Sequence, residues 1–506
     1  MRDTLWILVA ALGLVGCGSD DDGGGASSGG AAGNGASSGG GAAGSGASGG
    51  ASGAGASSSG GSGGTGGLAG SGGSGTGGTP GACGDIVTFE TGKTPTQQIH
   101  VSTSGNDSNN GTAGSPVKTL EKAVTLANPG TAIVVHAGTY PGGEYLEGVT
   151  GSAAAPIWIG GAPGEGKPVF SGGGQAFQLS KARYVIVHDL EVDGPSDNGI
   201  NCDDGSEYAN PDAARYLVFR NLDIHDVGGT GNQDCLKLSG IDDFWVLDNQ
   251  FARCGGGSSG SGIDQVGCHQ GVIARNAFQQ MSGNAVQAKG GSEDIEIRWN
   301  RIEDGGERGV NMGGSTGDQF FRPPLSSSAP NFEAKNIRVL ANVFVGAVTP
   351  VGFVGCVDCV AANNTIVDPT NWLLRILQEK TTSGGYTFQE TQNGRFSNNL
   401  VYFDRADLST YVNVGPNTQA GTFTFENNLW FAHDNPAQSA PTNLPAAESG
   451  AVTGQDPALA NPGAGNYGIP PTSPAAGAGT PIPGLSGDIT GKCYATPPSI
   501  GAYEAL

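Results

Sequence analysis

The 506 residues suffice for more than one ordinary domain or for one long repeat array. With 24 Lys+Arg against 46 Asp+Glu the formal net charge is −22, which argues against nucleic acid or an anionic membrane surface as the main partner. An anionic sugar stays open, because a local basic cluster or a bound cation reverses the local sign.

The chain starts with Met1 and Arg2, then the apolar run LWILVAALGLVG, then Cys17. That run is too short to span a bilayer and has small residues near its end, so it reads as a signal peptide over 1–16. Leu14-Val15-Gly16-Cys17 resembles the lipobox of bacterial lipoproteins. The resemblance implies cleavage before Cys17, a lipid on Cys17, and membrane attachment in the cell envelope. Gly18 follows, where an Asp would signal inner-membrane retention, so the outer membrane or cell surface is expected.

Residues 17–82 are nearly all Gly, Ser and Ala. Nothing there offsets the entropy of ordering a backbone, so a disordered tether is expected. Its reach is roughly 5–6 Å times the square root of its length. Eight cysteines remain: Cys83, Cys202, Cys235, Cys254, Cys268, Cys356, Cys359 and Cys493. In an exported chain an even count suggests disulfides, with connectivity left open. Cys254 with Cys268 and Cys83 with Cys493 are attractive pairs. Cys356 and Cys359 read as a structural disulfide or two thiols rather than half of a zinc site.

Folded sequence begins near Ile99. IHVSTSGNDSNNGT is a strand and a polar loop; Val117 to Leu126 is amphipathic; AIVVHAGTY is a second strand. This order resembles the N-terminal cap and first coil of secreted bacterial right-handed parallel β-helix proteins of the pectate-lyase-like superfamily. The resemblance implies an all-β solenoid over 83–455 with a short N-terminal capping helix. From Asp456 to the end (456–506) the chain resembles the closing segment of such proteins, expected to cover the last coil.

The repeats themselves are visible without the resemblance. YLVFRNL, FWVLDNQF, GVIARNAF and IEIRWNRI recur at roughly 24 to 29 residues, the length of one solenoid coil. Each has a polar residue two before a large apolar one. The signature runs through His188/Leu190, Arg220/Leu222, Asn249/Phe251, Asn276/Phe278, Asn300/Ile302, Asn342/Phe344, Asn364/Ile366, Asn398/Leu400 and Asn427/Leu429. Stacked asparagines at a tight inter-strand turn can bond one another, so these are scaffold. The long gap between Asn300 and Asn342 is Pro- and Ser-rich and reads as a loop thrown out of one coil, a common place for binding sites.

A second set of runs, GINCDDG, DCLKLSG, GIDQVGC, AVQAKGG and GVNMGGS, carries the candidate chemistry. With Leu236, Ile263, Val286 and Val310 inward, strand alternation turns Lys237, Asp264, Gln287 and Asn311 outward. Asn201 and Asp203 fall at the same levels, with Lys289 one level on. Asp234, His269 and Arg308 lie at the margins. An ordinary solvated face with charge pairs has the same pattern. Lysines beside carboxylates also suit eliminative cleavage of a uronic-acid polymer, which needs a base and a cation to neutralise the sugar carboxylate.

The superfamily's polysaccharide lyases use a Lys or Arg base, often with Asp-bound calcium. Carried over, Lys237 or Lys289 would be the base and Arg308 would neutralise substrate charge. Asp203, Asp234 and Asp264 would hold Ca2+, and Asn201, Gln287, Asn311 and His269 would contact the sugar. The compact acidic cluster of calcium-dependent pectate lyases is missing. Two other readings are a non-catalytic glycan-binding or adhesin-type surface lipoprotein and a polygalacturonase-like hydrolase. The hydrolase is the poorer fit, because Asp242-Asp243 follow Asp234 by less than one coil. A monomer acting on an acidic glycan, with no nucleic acid partner, is expected.

Overall fold

The computed structural model describes residues 83–229, 231–257 and 259–505. The signal peptide, Cys17 and the tether lie outside the described residues. Strands run from Gln97–Val101 to Val452–Thr453, and each long sheet is parallel and built from successive coils. One sheet starts at Gln97–Val101 and ends at Glu448–Ser449. A second starts at Thr139–Pro141 and ends at Val452–Thr453. The third, the site sheet, starts at Glu144–Glu147 and ends at Val412–Val414. The alternation of apolar and polar residues forces this: each strand buries one face and cannot do so alone. Stacking gives one core from Ile99 to Ala432, including Phe219, Phe251, Phe278, Phe344 and Trp430.

The open N-terminal end is plugged by the helix Leu120–Leu126, as expected. Thr119 caps it, its hydroxyl accepting from Lys122 N at 3.1 Å. Asp107 accepts from Lys118 N and Thr119 N, at 2.8 and 3.1 Å. Leu120 and Ala123 turn into the core. Glu144, on the first site-sheet strand, accepts from Glu121 N at 2.7 Å and ties the plug to the coil below it.

The asparagine ladder is present, but its phase differs from the sequence expectation at both ends. Asn249, Asn276, Asn300, Asn342, Asn364, Asn399 and Asn428 form it. In each step the backbone N–H and the side-chain amide both donate to the next asparagine's Oδ1; for Asn249 onto Asn276 both distances are 2.9 Å. The side-chain amide also reaches a carbonyl on the preceding strand, as Asn276 does with Val246 at 2.9 Å. Asn398 and Asn427 are not rungs. They take the left-handed bend before the rung, with φ of 55° and 52°. The core partners there are accordingly Val401 and Trp430, while Leu400 and Leu429 face outward into a second apolar cluster with Ile469 and Ile500. In the early coils the slip is two residues. Leu222 donates its N–H to Asn249 Oδ1 and holds the rung position itself, and Ile224 is the equivalent of Phe251.

The C-terminal segment does not simply cover the last coil. It runs back along the outside of earlier ones: Asn363 donates to Ser499 O, Arg301 to Gly465 O, and Trp299 Nε1 to Gly487 O, at 3.0 to 3.1 Å. The N-terminal segment lies on the same flank, with Phe89 against Tyr184, Tyr216 and Trp245. The Cys83–Cys493 disulfide joins the two. The other bridges are Cys235–Cys254 and Cys356–Cys359, whereas Cys202 and Cys268 are buried thiols. Cys254 therefore pairs with Cys235 and not with Cys268: Cys254 ends a second-sheet strand and Cys235 leads into a site-sheet strand, whereas Cys268 leads into a first-sheet strand.

Candidate functional site

The site sheet places the expected face as the alternation requires. Leu236, Ile263, Val286 and Val310 are wholly buried in the core. Asn201, Lys237, Asp264, Gln287 and Asn311 are in register on five successive coils. Asp203, Ser239, Val266 and Lys289 form the next row. Beyond the insertion at 314–335, the first row continues from Asn311 through Gly352 and Arg375 to Asn413.

Four charged side chains converge in this face. Lys237 Nζ donates to Asp234 Oδ2 at 3.2 Å and also pairs with Asp264 Oδ2. Lys289 Nζ stands 3.9 Å from the same Asp264 oxygen. All are nearly closed to solvent: 0% exposed for the two aspartates, 6% for Lys237 and 2% for Lys289. Burial alone would lower the Lys237 pKa, but Asp264 and Asp234 more than reverse it, so Lys237 is held as an ammonium. Burial pushes Asp234 up to about 6, opposed by Lys237. Burial also opposes the ionised form of Asp264, yet Lys237 and Lys289 together hold its carboxyl below the usual range. Two cations and two anions thus share one dry space. The acceptor oxygens Asn201 Oδ1, Asp264 Oδ1, Asn284 Oδ1 and Asn311 Oδ1 on these strands are buried without a protein donor.

The remaining expected residues divide. Asn201, Gln287 and Asn311 lie on the face, with Gln287 and Asn311 donating to Gly313 O at 3.1 and 3.2 Å. Asp203 does not join the other carboxylates: Ser180 Oγ, Gln178 Nε2, Asn201 Nδ2 and Gly205 N all donate to it. Asp234 and Asp264 have Lys237 Nζ between them, in the place a shared metal ion would need. This set therefore does not fit calcium. His269 belongs to the first sheet, and both its nitrogens are engaged, Nδ1 with Asp242 at 2.6 Å and Nε2 with Gly291 O at 3.2 Å. Arg308 lies in the row of Asn284, coils away from Lys237, and pairs with Glu379 at 3.3 Å. It cannot neutralise a sugar held at Lys237. Among the described residues one group of three possible metal ligands within 4.8 Å exists, Asp193, His225 and Asp226, on another sheet. Arg253 already holds both oxygens of that Asp226.

Residues 99–281 match the family model described as "Pel9A-like, right handed beta helix region". The fold is a right-handed parallel β-helix. Solved structures similar to the chain include pectate lyase Pel9A, at 16% identity and a TM-score of 0.44, covering 82% of this chain and 98% of that one. An alginate lyase from Paenibacillus sp. str. FPU-7 has 16% identity and a TM-score of 0.41, covering 65% and 99%. A rhamnogalacturonan lyase has 14% identity and a TM-score of 0.40, covering 66% and 87%. No curated protein matches the sequence.

Around the face of this β-helix the 314–335 insertion supplies residues that periodicity does not reveal. Arg322, separated by 118 positions from Asp204, makes two hydrogen bonds to its carboxylate at 2.8 and 2.9 Å, and stacks on Tyr208. With His269, Asp242 and Pro211 they line a cavity of about 360 Å³ at Gly240 and Gly267, the turns that follow the strands of Lys237 and Asp264. Nothing local in the sequence announces that pairing. Glu333 closes the insertion, accepting from Gly290 N, Thr316 N and Thr316 Oγ1 at 2.8 to 3.1 Å. Gly290 directly follows Lys289, so Glu333 pins the loop over the site.

Glu333 has a consequence for stability. Burial pushes its pKa up to about 7, opposed by Lys380, and Glu144 is likewise pushed up to about 7. Between the unfolded value of 4.5 and about 7 the native state holds protons that the unfolded chain has released. Stability from these groups is therefore fully present below that window and falls as pH rises through it. For Glu333 alone the loss is of order 3 kcal/mol at most. Urea unfolding at pH 5 and pH 8 should show the full chain less stable at pH 8, with a smaller drop in Glu333→Gln. An equal drop in both proteins would remove Glu333 as a cause.

Proposed function

We propose that this is a carbohydrate-active β-helix protein that cleaves a uronic-acid-containing polymer by β-elimination. The observation that carries the reading is the convergence of Lys237, Lys289, Asp234 and Asp264 on one outward face of consecutive coils. In this reading Lys289 takes the proton from the ring carbon bearing the sugar carboxylate. The electron pair forms a C=C bond, and the glycosidic C–O bond at the next carbon breaks. The leaving oxygen takes up a proton. Lys237 cannot be the base, because its two aspartates keep it protonated; it supplies fixed positive charge facing the sugar carboxylate. Asn201, Gln287 and Asn311 offer hydrogen bonds along the same row. Attachment to the cell envelope through Cys17 completes the proposal: a tethered enzyme that works on polymer outside the cell.

The non-catalytic reading is favoured by one specific observation, the burial of Lys289 at 2% exposure. The two are separated by incubating the full chain with pectate, alginate and glycosaminoglycans and following absorbance of unsaturated uronate products. Product from at least one polymer supports elimination. Binding without product from any supports a glycan-binding surface protein. Because Lys237 occupies the place a metal would take, a chelator should leave the initial rate within about twofold. Loss of activity on chelation with recovery on added calcium would overturn that assignment.

A further inference from the structure

We infer that Arg375 and Arg308, with Trp372 and Asn413, form a second anion-binding subsite on the same face, taking a carboxylate of an acidic polysaccharide farther along the chain. The inference deepens the function proposed above and rests on it for the class of polymer. Arg375 is in the row of Lys237, Asp264, Gln287, Asn311 and Gly352. From Asp264 to Arg375 is four coil steps of roughly 4.7–4.9 Å, hence roughly 19 Å along the solenoid axis. A polymer laid along the face, and not a single sugar, spans that distance.

The guanidinium of Arg375 is placed but not neutralised. Its Nε donates to Asn413 Oδ1 at 3.0 Å and its plane lies over Trp372, 4.4 Å from the ring centroid. No carboxylate among the described residues is within ion-pair distance of it. Glu307 and Glu379 act on it only from farther away. Arg308 is a like charge nearby, and its Nε is buried without a partner, while its terminal nitrogen reaches Glu379 at 3.3 Å. Partial burial of Arg375, together with Arg308, makes its charged form costly, as lowered pKa direction indicates. A bound carboxylate would remove that cost. A guanidinium held over an aromatic ring presents a donor fork that matches a carboxylate, so little rotamer freedom is lost on binding.

Gly352 keeps the approach open. It sits between Asn311 and Arg375 in register. A Cβ there would stand 3.0 Å from Asn311 Oδ1 and 3.4 Å from Arg308 Cδ. Any side chain would fill the floor between Asn311 and the two arginines. With glycine there, no side chain stands between Asn311 and the two arginines.

The test uses the full chain and calorimetric titration with polygalacturonate, alginate and highly methyl-esterified pectin, whose carboxylates are masked. For the acidic polymer that binds, Arg375→Gln should weaken binding about tenfold, the size expected for one lost charged hydrogen-bonded contact. The Arg308→Gln/Arg375→Gln double variant should weaken it further, and esterified pectin should show no difference. Where the polymer is cleaved, KM should rise with kcat unchanged. Arg375→Lys, which keeps the charge, should recover part of the loss. Equal loss in Arg375→Lys and Arg375→Gln would assign the effect to Trp372 packing and overturn the subsite. So would affinity within twofold of wild type in the double variant, while cleavage by the wild type would still leave the lyase reading standing. Binding without cleavage, weakened by Arg375→Gln, keeps the subsite and rejects the lyase. No binding of any acidic polymer by the wild type overturns both.

Discussion

Replacing Lys237 by methionine is expected to lower folding stability by about 3–5 kcal/mol, the cost of breaking a buried ion pair from one side. Methionine keeps most of the lysine stem, so little volume is lost. What disappears is the ammonium between Asp234 and Asp264, both at 0% exposure. Lys289, at 3.9 Å from Asp264, would then face that carboxylate alone, and Asp234 would retain only the Ser261 N–H at 2.7 Å. The cluster would pass from two cations against two anions to one against two. Protonation of Asp234, already pushed up to about 6, is the available relief, so the variant should lose less stability at pH 5 than at pH 8. Adding Asp234→Asn to Lys237→Met should recover part of the loss, because it removes the carboxylate left without a cation while Asp264 keeps Lys289. Urea unfolding of the single and double variants reads all of this directly. A single variant within 1 kcal/mol of wild type would mean that Lys237 is not bracketed as the structure has it.

The fold was legible because the solenoid repeats its physics. Every coil needs an inward apolar face, and most need an asparagine at the same turn, so the pattern shows through repetition even where no single coil is diagnostic. The phase errors have a local cause. Asn398-Asn399 and Asn427-Asn428 offer two asparagines for one rung, and only backbone conformation decides that the first takes the left-handed bend. In the coils of Leu190 and Leu222 the rung carries leucine, so the polar-x-apolar pattern falls on His188 and Arg220 instead.

The site face was legible for the same reason as the core. Once Leu236, Ile263, Val286 and Val310 point inward, the outward row follows without further information. What strand alternation cannot supply is the direction of a long side chain or the position of an insertion. Asp203 and Asp264 share a face, yet one is satisfied by Ser180 and Gln178 and the other by Lys237. Arg322 and Glu333 come from the loop between two coils, where no period applies. Arg375 was within reach of the sequence. Leu374-Arg375-Ile376 has the same inward-outward-inward pattern as Leu236-Lys237-Leu238.

The second large effect separates the two lysines. Lys289→Ala should lower kcat on the cleaved uronate polymer by about 10²–10⁴-fold, the range for removal of a general base, with KM little changed. Stability should fall far less than in Lys237→Met, because Asp264 keeps Lys237 as its closer partner. The contrast matters more than either number. A purely structural cluster would make both lysines stability residues, with activity following the folded fraction in each. A site in which Lys237 fixes charge and Lys289 moves a proton predicts a folded, inactive Lys289→Ala. Gly314 provides the companion variant. It lies against this lysine, at a backbone φ of 142°, and a Cβ there would come within 2.6 Å of Gln287 Nε2 and 3.7 Å of Lys289 Cδ. Gly314→Ala should therefore disturb Lys289 from outside while leaving its ammonium in place, and reduce kcat without the complete loss seen in Lys289→Ala. Full activity in folded Lys289→Ala, followed by the appearance of unsaturated uronate, would remove Lys289 from the reaction.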